Sequence, residues 1–128
     1  MNNKEIIQRF YDEIFNGHQV ASAVDFLKED YIQHNSGIGT GREGFIRHFR
    51  DEFFKKYPNF KTNIKRIIAD GEYVVVYLNA TGTNIMGANP ERGLAIVDIY
   101  RFENGKLAEH WDVVQPVPEK SENSNTMF

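Results

Sequence analysis

The chain has no cysteine, one tryptophan and four prolines among its 128 residues. Without cysteine there is no disulfide framework, no thiol nucleophile and no thiolate metal site. Such usage suits a reducing compartment, and a cytoplasmic location is expected. A long apolar run is also missing. The N-terminus, Met1-Asn-Asn-Lys-Glu-Ile-Ile7, lacks the apolar core of a signal peptide. No stretch approaches the roughly 20 apolar residues of a membrane helix, so no membrane partner is expected. Nor is there a basic excess. Fifteen Lys and Arg against 18 Asp and Glu leave a net charge of −3, which argues against nucleic acid as a partner. His18, His34, His48 and His110 are scattered without local ligand spacing, so no metal is expected.

Aromatic residues are plentiful, with ten Phe and six Tyr. That many rings can build a core or line an apolar pocket. The length suits one domain spanning residues 1–128, with a polar, proline-interrupted tail from Pro116 to Phe128. Ile6, Ile7, Phe10, Tyr11 and Ile14 recur at helical spacing, and Gly17 marks a stop. A short second helix is expected over Ala21–Leu27, followed by a brief extended segment, Tyr31–Asn35. Thr40-Gly-Arg-Glu43 has the form of a capping box that opens a third helix. That helix carries Phe45, Phe49, Phe53 and Tyr57 on one stripe and ends at Pro58. Gly39-Thr-Gly-Arg-Glu-Gly44 matches the dinucleotide pattern by letters. It follows no buried parallel strand and has no acidic residue about 20 positions on, so it reads as a turn and helix start, with no cofactor implied.

Beyond Pro58 the period becomes that of strands. Phe60–Ala69, Tyr73–Asn84, Leu94–Phe102 and Lys106–Gln115 are four expected strands, with hairpins at Asp70-Gly71 and Asn104-Gly105. Helices segregated from strands imply an α+β fold with the helices on one sheet face and a cavity between the layers. The last hairpin is the informative one. Asp98, His110 and Asp112 lie in mid-strand, where an ionisable group costs several kcal/mol unless it is paired or lines a wet cavity. A two-residue Asn-Gly turn would pair Glu103 with Lys106 and set Asp98 opposite Trp111, with His110 and Asp112 on the other face. A three-residue turn with a glycine bulge would pair Phe102 with Lys106 and set Asp98 opposite His110, with Asp112 on the same face. The bulged turn is favoured, because it leaves Arg101 and Glu109 as a cross-strand charge pair on the opposite face.

Several segments resemble one known family. They are Tyr31-Ile-Gln-His-Asn35, the Asp70-Gly71 hairpin, Val97-Asp-Ile-Tyr-Arg-Phe-Glu-Asn-Gly-Lys106 and Glu109-His-Trp-Asp-Val-Val-Gln115. Together with the three-helix, curved-sheet order they are similar to the SnoaL-like group of the NTF2-like superfamily. The tail Asn123-Ser-Asn-Thr-Met-Phe128 resembles the ending of a bacterial subgroup described as aldol-condensation enzymes. The resemblance implies an NTF2-like cone, a homodimer formed through the outer sheet face, and an Asp and a His as acid/base groups. The matching residue types here are Asp98, His110 and Asp112. The superfamily spans cyclases, isomerases, dehydratases and proteins without catalysis, so the fold alone selects no reaction.

The expected chemistry is removal of a proton next to a carbonyl. Asp112 is the principal acid/base candidate, with His110 and Asp98 in support, and neither a metal nor a redox cofactor is required. His34, Tyr11, Phe49 and Phe53 are the candidate substrate contacts. The leading expectation is a cofactor-free lyase, isomerase or cyclase acting on a small apolar carbonyl compound. The alternative is a non-catalytic domain that binds a small ligand or a partner protein. A closed aromatic pocket holding convergent Asp and His favours the first, and a filled or shallow cone favours the second.

Overall fold

The computed structural model describes residues 1–128. Helix α1 (Asn3–Phe10) opens on a capping box. Asn2 Oδ1 accepts the Glu5 N–H at 2.9 Å, and the Glu5 carboxylate accepts the Asn2 N–H. Ile7, Phe10, Tyr11 and Ile14 form its buried stripe. Past Phe10 the helix widens into a π-helical stretch, Tyr11–Asn16. A short helix α2 (Ala23–Phe26) leads directly into strand β1 (Leu27–Gln33). Helix α3 (Gly41–Arg47) widens in the same way over His48–Phe53 and finishes as α4 (Phe54–Lys56). Pro58 follows, and Tyr57 before it has left the helical region, which the proline ring disfavours for the preceding residue. Widened turns of this kind rotate the side chains that follow and are frequent at functional sites. Here both stretches face the same interior space.

Strands β2 (Lys61–Asp70), β3 (Tyr73–Thr81), β4 (Leu94–Glu103) and β5 (Lys106–Pro116) form an antiparallel meander. The sheet order is β1-β5-β4-β3-β2, with β1 parallel to β5. The α+β architecture is therefore as expected, with helices covering one face of an unclosed five-stranded sheet. Between Lys61 and Pro116 the helical content is one short turn, Ile85–Gly87.

Three local expectations are corrected. The segment expected to be extended over Tyr31–Asn35 is a seven-residue edge strand beginning at Leu27. Its exposed Glu29 and Asp30 and half-buried Lys28 obscure any apolar alternation, as charged residues on sheet edges commonly do. Thr40 precedes α3 but makes no capping bond. Its hydroxyl donates to the Tyr31 carbonyl at 3.2 Å and accepts the Gln33 N–H at 3.2 Å, tying the helix start to β1. The neighbouring glycine pattern has a packing origin: a Cβ on Gly44 would lie 2.4 Å from the Gly39 carbonyl oxygen.

The third correction concerns the register of the last hairpin. The turn is the two-residue one, with Asn104 at φ 50°, Gly105 at φ 76° and Glu103 paired with Lys106. These are the positive angles that match the twist of the flanking strands. The extra residue lies further along, at Ala108. Phe102 pairs with Leu107, and Arg101 then pairs with Glu109. Leu107 and Ala108 are both buried, so the bulge places two successive apolar side chains in the interior. Beyond it Asp98 opposes Asp112 and Tyr100 opposes His110. The three ionisable residues do share the inner face, but Asp98 faces Asp112 across the strands and not His110. On the outer face Arg101 Nε donates to Glu109 at 2.8 Å, the charge pair expected there.

The tail leaves the sheet after Pro116 and its end returns to the outer face. The Tyr77 hydroxyl donates to the Met127 carbonyl, and the Phe128 and Tyr77 ring centroids lie 5.6 Å apart.

Candidate active site

Between the helices and the inner sheet face lies a cavity of about 360 Å³, within the size range of small-molecule sites. Its apolar wall comes from Phe15, Phe45, Phe49, Phe53, Tyr57 and Phe60, most of them on the two widened helices. Its polar wall combines Tyr11 with the inward residues of β4 and β5 and with Tyr31, Gln33 and Asn35 from β1 and the loop after it. Phe49, Phe53 and Tyr11 thus lie on the cavity, where substrate contacts were expected.

Asp98 is 7% exposed and His110 6%, so both rely on hydrogen bonds for their polarity. His110 Nε2 lies 2.8 Å from Asp98 Oδ1. The Tyr11 hydroxyl donates to Asp98 Oδ2 and sits 2.9 Å from the Tyr100 hydroxyl. With Tyr11 donating to the carboxylate, Tyr100 donates to Tyr11. On its other side His110 Nδ1 is 2.8 Å from Gln33 Oε1, which also accepts the Asn35 backbone N–H at 2.9 Å. A backbone N–H can face only the oxygen of that amide, so the orientation of Gln33 is set. Nδ1 must then carry a hydrogen, and Nε2 is the nitrogen that exchanges protons.

Asp112 is held by the same segment. Asn35 Nδ2 donates to its two carboxylate oxygens at 3.1 and 2.8 Å. Asn35 Oδ1 accepts the Gly37 N–H at 2.9 Å, which fixes the orientation of this amide as well. Asp112 Oδ2 lies 3.9 Å from His110 Nε2, and its side chain is 15% exposed. The imidazole therefore stands between two carboxylates that both line the cavity, Asp98 bonded to Tyr11 and Asp112 to Asn35.

Burial pushes the Tyr11 and Tyr100 phenols well above the ordinary range for tyrosine, and the negative charge of Asp98 adds to the effect. At neutral pH they are donors. Asp98, His110 and Asp112 offer three potential ligand atoms within 4.8 Å of one another, a grouping that local spacing did not signal. In this arrangement hydrogen bonds engage Nε2 and all four carboxylate oxygens.

His34 requires a correction. It does not reach the cavity. Its Nε2 lies 2.7 Å from Glu109 Oε2 on the outer face, and its ring stacks on Trp111 at 4.8 Å. Hydrogen bonds from His34 and then Arg101 hold the Glu109 carboxyl below the usual carboxylate range. The physical reason is strand alternation: when Gln33 and Asn35 point inward, the residue between them points out. The sequence reading favours the imidazole for its chemistry over the two amides beside it. Gln33, Asn35, Tyr31 and Tyr100 are the site residues it missed. A two-residue step from Tyr31 was the available signal.

The chain matches the SnoaL-like polyketide cyclase family over residues 5–119. Among solved structures it is similar to IdmH from Streptomyces antibioticus, provisionally assigned as a polyketide cyclase, with 19% identity, a TM-score of 0.72 and coverage of 89% of this chain and 92% of that one. A provisional polyketide cyclase from Acidithiobacillus ferrooxidans has 18% identity, a TM-score of 0.73 and coverage of 88% and 87%. A protein described as having a cystatin fold, from Novosphingobium aromaticivorans, has 22% identity, a TM-score of 0.74 and coverage of 88% and 98%. At these identities the likeness is one of fold. A search of curated proteins gives no match.

Proposed function

We propose, from the premise that this chain belongs to the SnoaL-like polyketide cyclase family, that it is a cofactor-free acid/base enzyme of lyase, isomerase or cyclase type. Its substrate is a small apolar carbonyl compound held among the cavity's aromatic rings. The observation that carries this reading is the Asp98–His110–Asp112 cluster, whose three side chains converge on the wall of one aromatic cavity. A filled cone would have favoured a binding or scaffold role.

In this reading Asp112 takes a proton from the carbon next to the carbonyl. The C–H electrons become the C=C bond of an enolate, and the carbonyl π pair moves to oxygen. Return of the proton at a different carbon gives isomerisation. Attack of the enolate carbon on a second carbonyl closes a ring, and the new alkoxide takes back the proton from Asp112. Protons and electrons balance in both cases without a redox partner. His110 Nε2 stands 3.9 Å from Asp112, and its contact with Asp98 holds the ring there.

The test is hydrogen exchange in D₂O with 2-tetralone, a bicyclic apolar ketone with acidic α-protons. The protein should speed deuterium uptake at the α-carbons well above the buffer rate at the same pD. Bound ketone with no acceleration would leave a binding protein and overturn the catalytic reading.

The same reading includes a homodimer joined by the outer sheet face. Val113 there is 69% exposed, and Ile32, Ile68 and Tyr73 are also exposed on that face. Apolar patches of this kind usually mark interfaces. Light scattering at micromolar concentration should give about twice the 14.8 kDa chain mass. A monomer mass would reject the dimer.

A further inference from the structure

We propose that the Tyr31 hydroxyl is the hydrogen-bond donor that receives the substrate's reacting carbonyl oxygen. The proposal rests on the acid/base reading of the cavity and deepens it by naming a residue for the opposite end of the reacting group. Tyr31 is 1% exposed and lines the cavity. Every other buried polar side chain on the cavity wall has a protein partner. Tyr11 and Tyr100 bond each other and Asp98, His110 bonds Asp98 and Gln33, and Tyr57 accepts the Met86 N–H. No protein atom hydrogen-bonds the Tyr31 hydroxyl, although Asp98 and Asp112 are near enough for their charges to act on it. The buried side-chain atoms that are both sealed and without a partner are Arg42 Nε and Arg92 Nε. The Tyr31 oxygen is not among them, because it is reachable from the cavity.

A buried hydroxyl without a partner is costly unless something else bonds it. A ligand oxygen is the chemically matched partner. Burial raises the Tyr31 phenol well above its ordinary range, and the two carboxylate charges add to this, so it is a donor at neutral pH. The ring is already fixed. It sits on a strand, its backbone carbonyl accepts the Thr40 hydroxyl, and it packs edge-on against Phe45 at 6.2 Å between centroids. A donor held in place before the reaction stabilises developing charge without reorganisation. As the α-proton moves to Asp112, negative charge gathers on the carbonyl oxygen, and the Tyr31 O–H bond to that oxygen shortens without transferring its proton. Gln33 lies two residues on along the same face. Its amide nitrogen also lacks a protein partner, but it is only half-buried.

The variant is Tyr31→Phe, which keeps the ring. Because the hydroxyl bonds nothing in the free protein, Tm should be unchanged or higher. Tetralone exchange should fall about 10²–10³-fold, the usual effect of removing one such donor. Affinity for 2-tetralone should fall several-fold, while affinity for tetralin, the hydrocarbon without the oxygen, should stay the same. The C=O stretch of bound 2-tetralone should lie at lower frequency in the wild type than in Tyr31→Phe. A packing role would move both ligands equally and leave the stretch where it is. If Tyr31→Phe exchanges like the wild type while Asp112→Asn does not, the Tyr31 assignment falls and the acid/base reading stands. If the wild type neither binds the ketone nor exchanges it, both fall.

Discussion

Asp112→Asn should lower tetralone exchange by about 10²–10⁴-fold, the range general-base removal produces. The substitution keeps the shape of the side chain and removes its basic charge. Asn35 Nδ2 donates to both oxygens of Asp112, so one of those two bonds survives and the other loses its acceptor. One hydrogen bond at a partly open position is worth about 1 kcal/mol. Part of that loss is offset, because a second carboxylate no longer stands opposite Asp98. The melting temperature should therefore change little while exchange falls steeply. Calorimetry and the exchange assay on one preparation separate the two effects. Equal exchange rates in both proteins would remove Asp112 as the base. A steep fall in melting temperature would reassign it as a structural partner of Asn35.

Phe10→Ala should cost about 3–5 kcal/mol, as large-to-small changes at sealed aromatic positions do. Phe10 is 0% exposed. Its ring centroid lies 5.2 to 5.9 Å from those of Phe15, Phe26, Tyr11, Phe45 and Tyr100. Those neighbours belong to the π-helical stretch after α1 and to α2, α3 and β4, so collapse onto the space left behind would require several elements to move together. The midpoint of thermal unfolding should drop by on the order of 10 °C. Two of the five rings, Tyr11 and Tyr100, also orient Asp98, so tetralone exchange should fall as well. Denaturant titration gives the number directly, and a cost below about 1 kcal/mol would contradict this packing.

Where the chain reports on itself through local period, sequence and structure agree. The buried stripe of α1, the helix stop before Pro58 and the strands of the meander repeat every three to four residues or every two. Each such repeat states which side chains share a face. The Asn104-Gly105 pair signalled a hairpin for the same local reason, since both positions need positive φ. The position of the bulge carried no such mark. Ala108 is the extra residue because Leu107 and Ala108 are both taken into the interior, and that follows from what packs above them.

The sequence by itself determined the α+β order, the single aromatic-rich core and the presence of Asp98, His110 and Asp112 inside strands. Tertiary structure alone decided what those three residues touch. Gln33 and Asn35 each stand 77 positions before His110 and Asp112, the residues they hydrogen-bond, and Tyr31 lies two residues before Gln33 on the same face. They arrive at the site because β1 pairs in parallel with β5. A parallel pairing has no connecting turn to announce it, and the charged edge of β1 conceals its inward face. The fixed imidazole ring, the clamped carboxylate and the free Tyr31 hydroxyl all depend on that one long-range pairing, which no local period in the chain encodes.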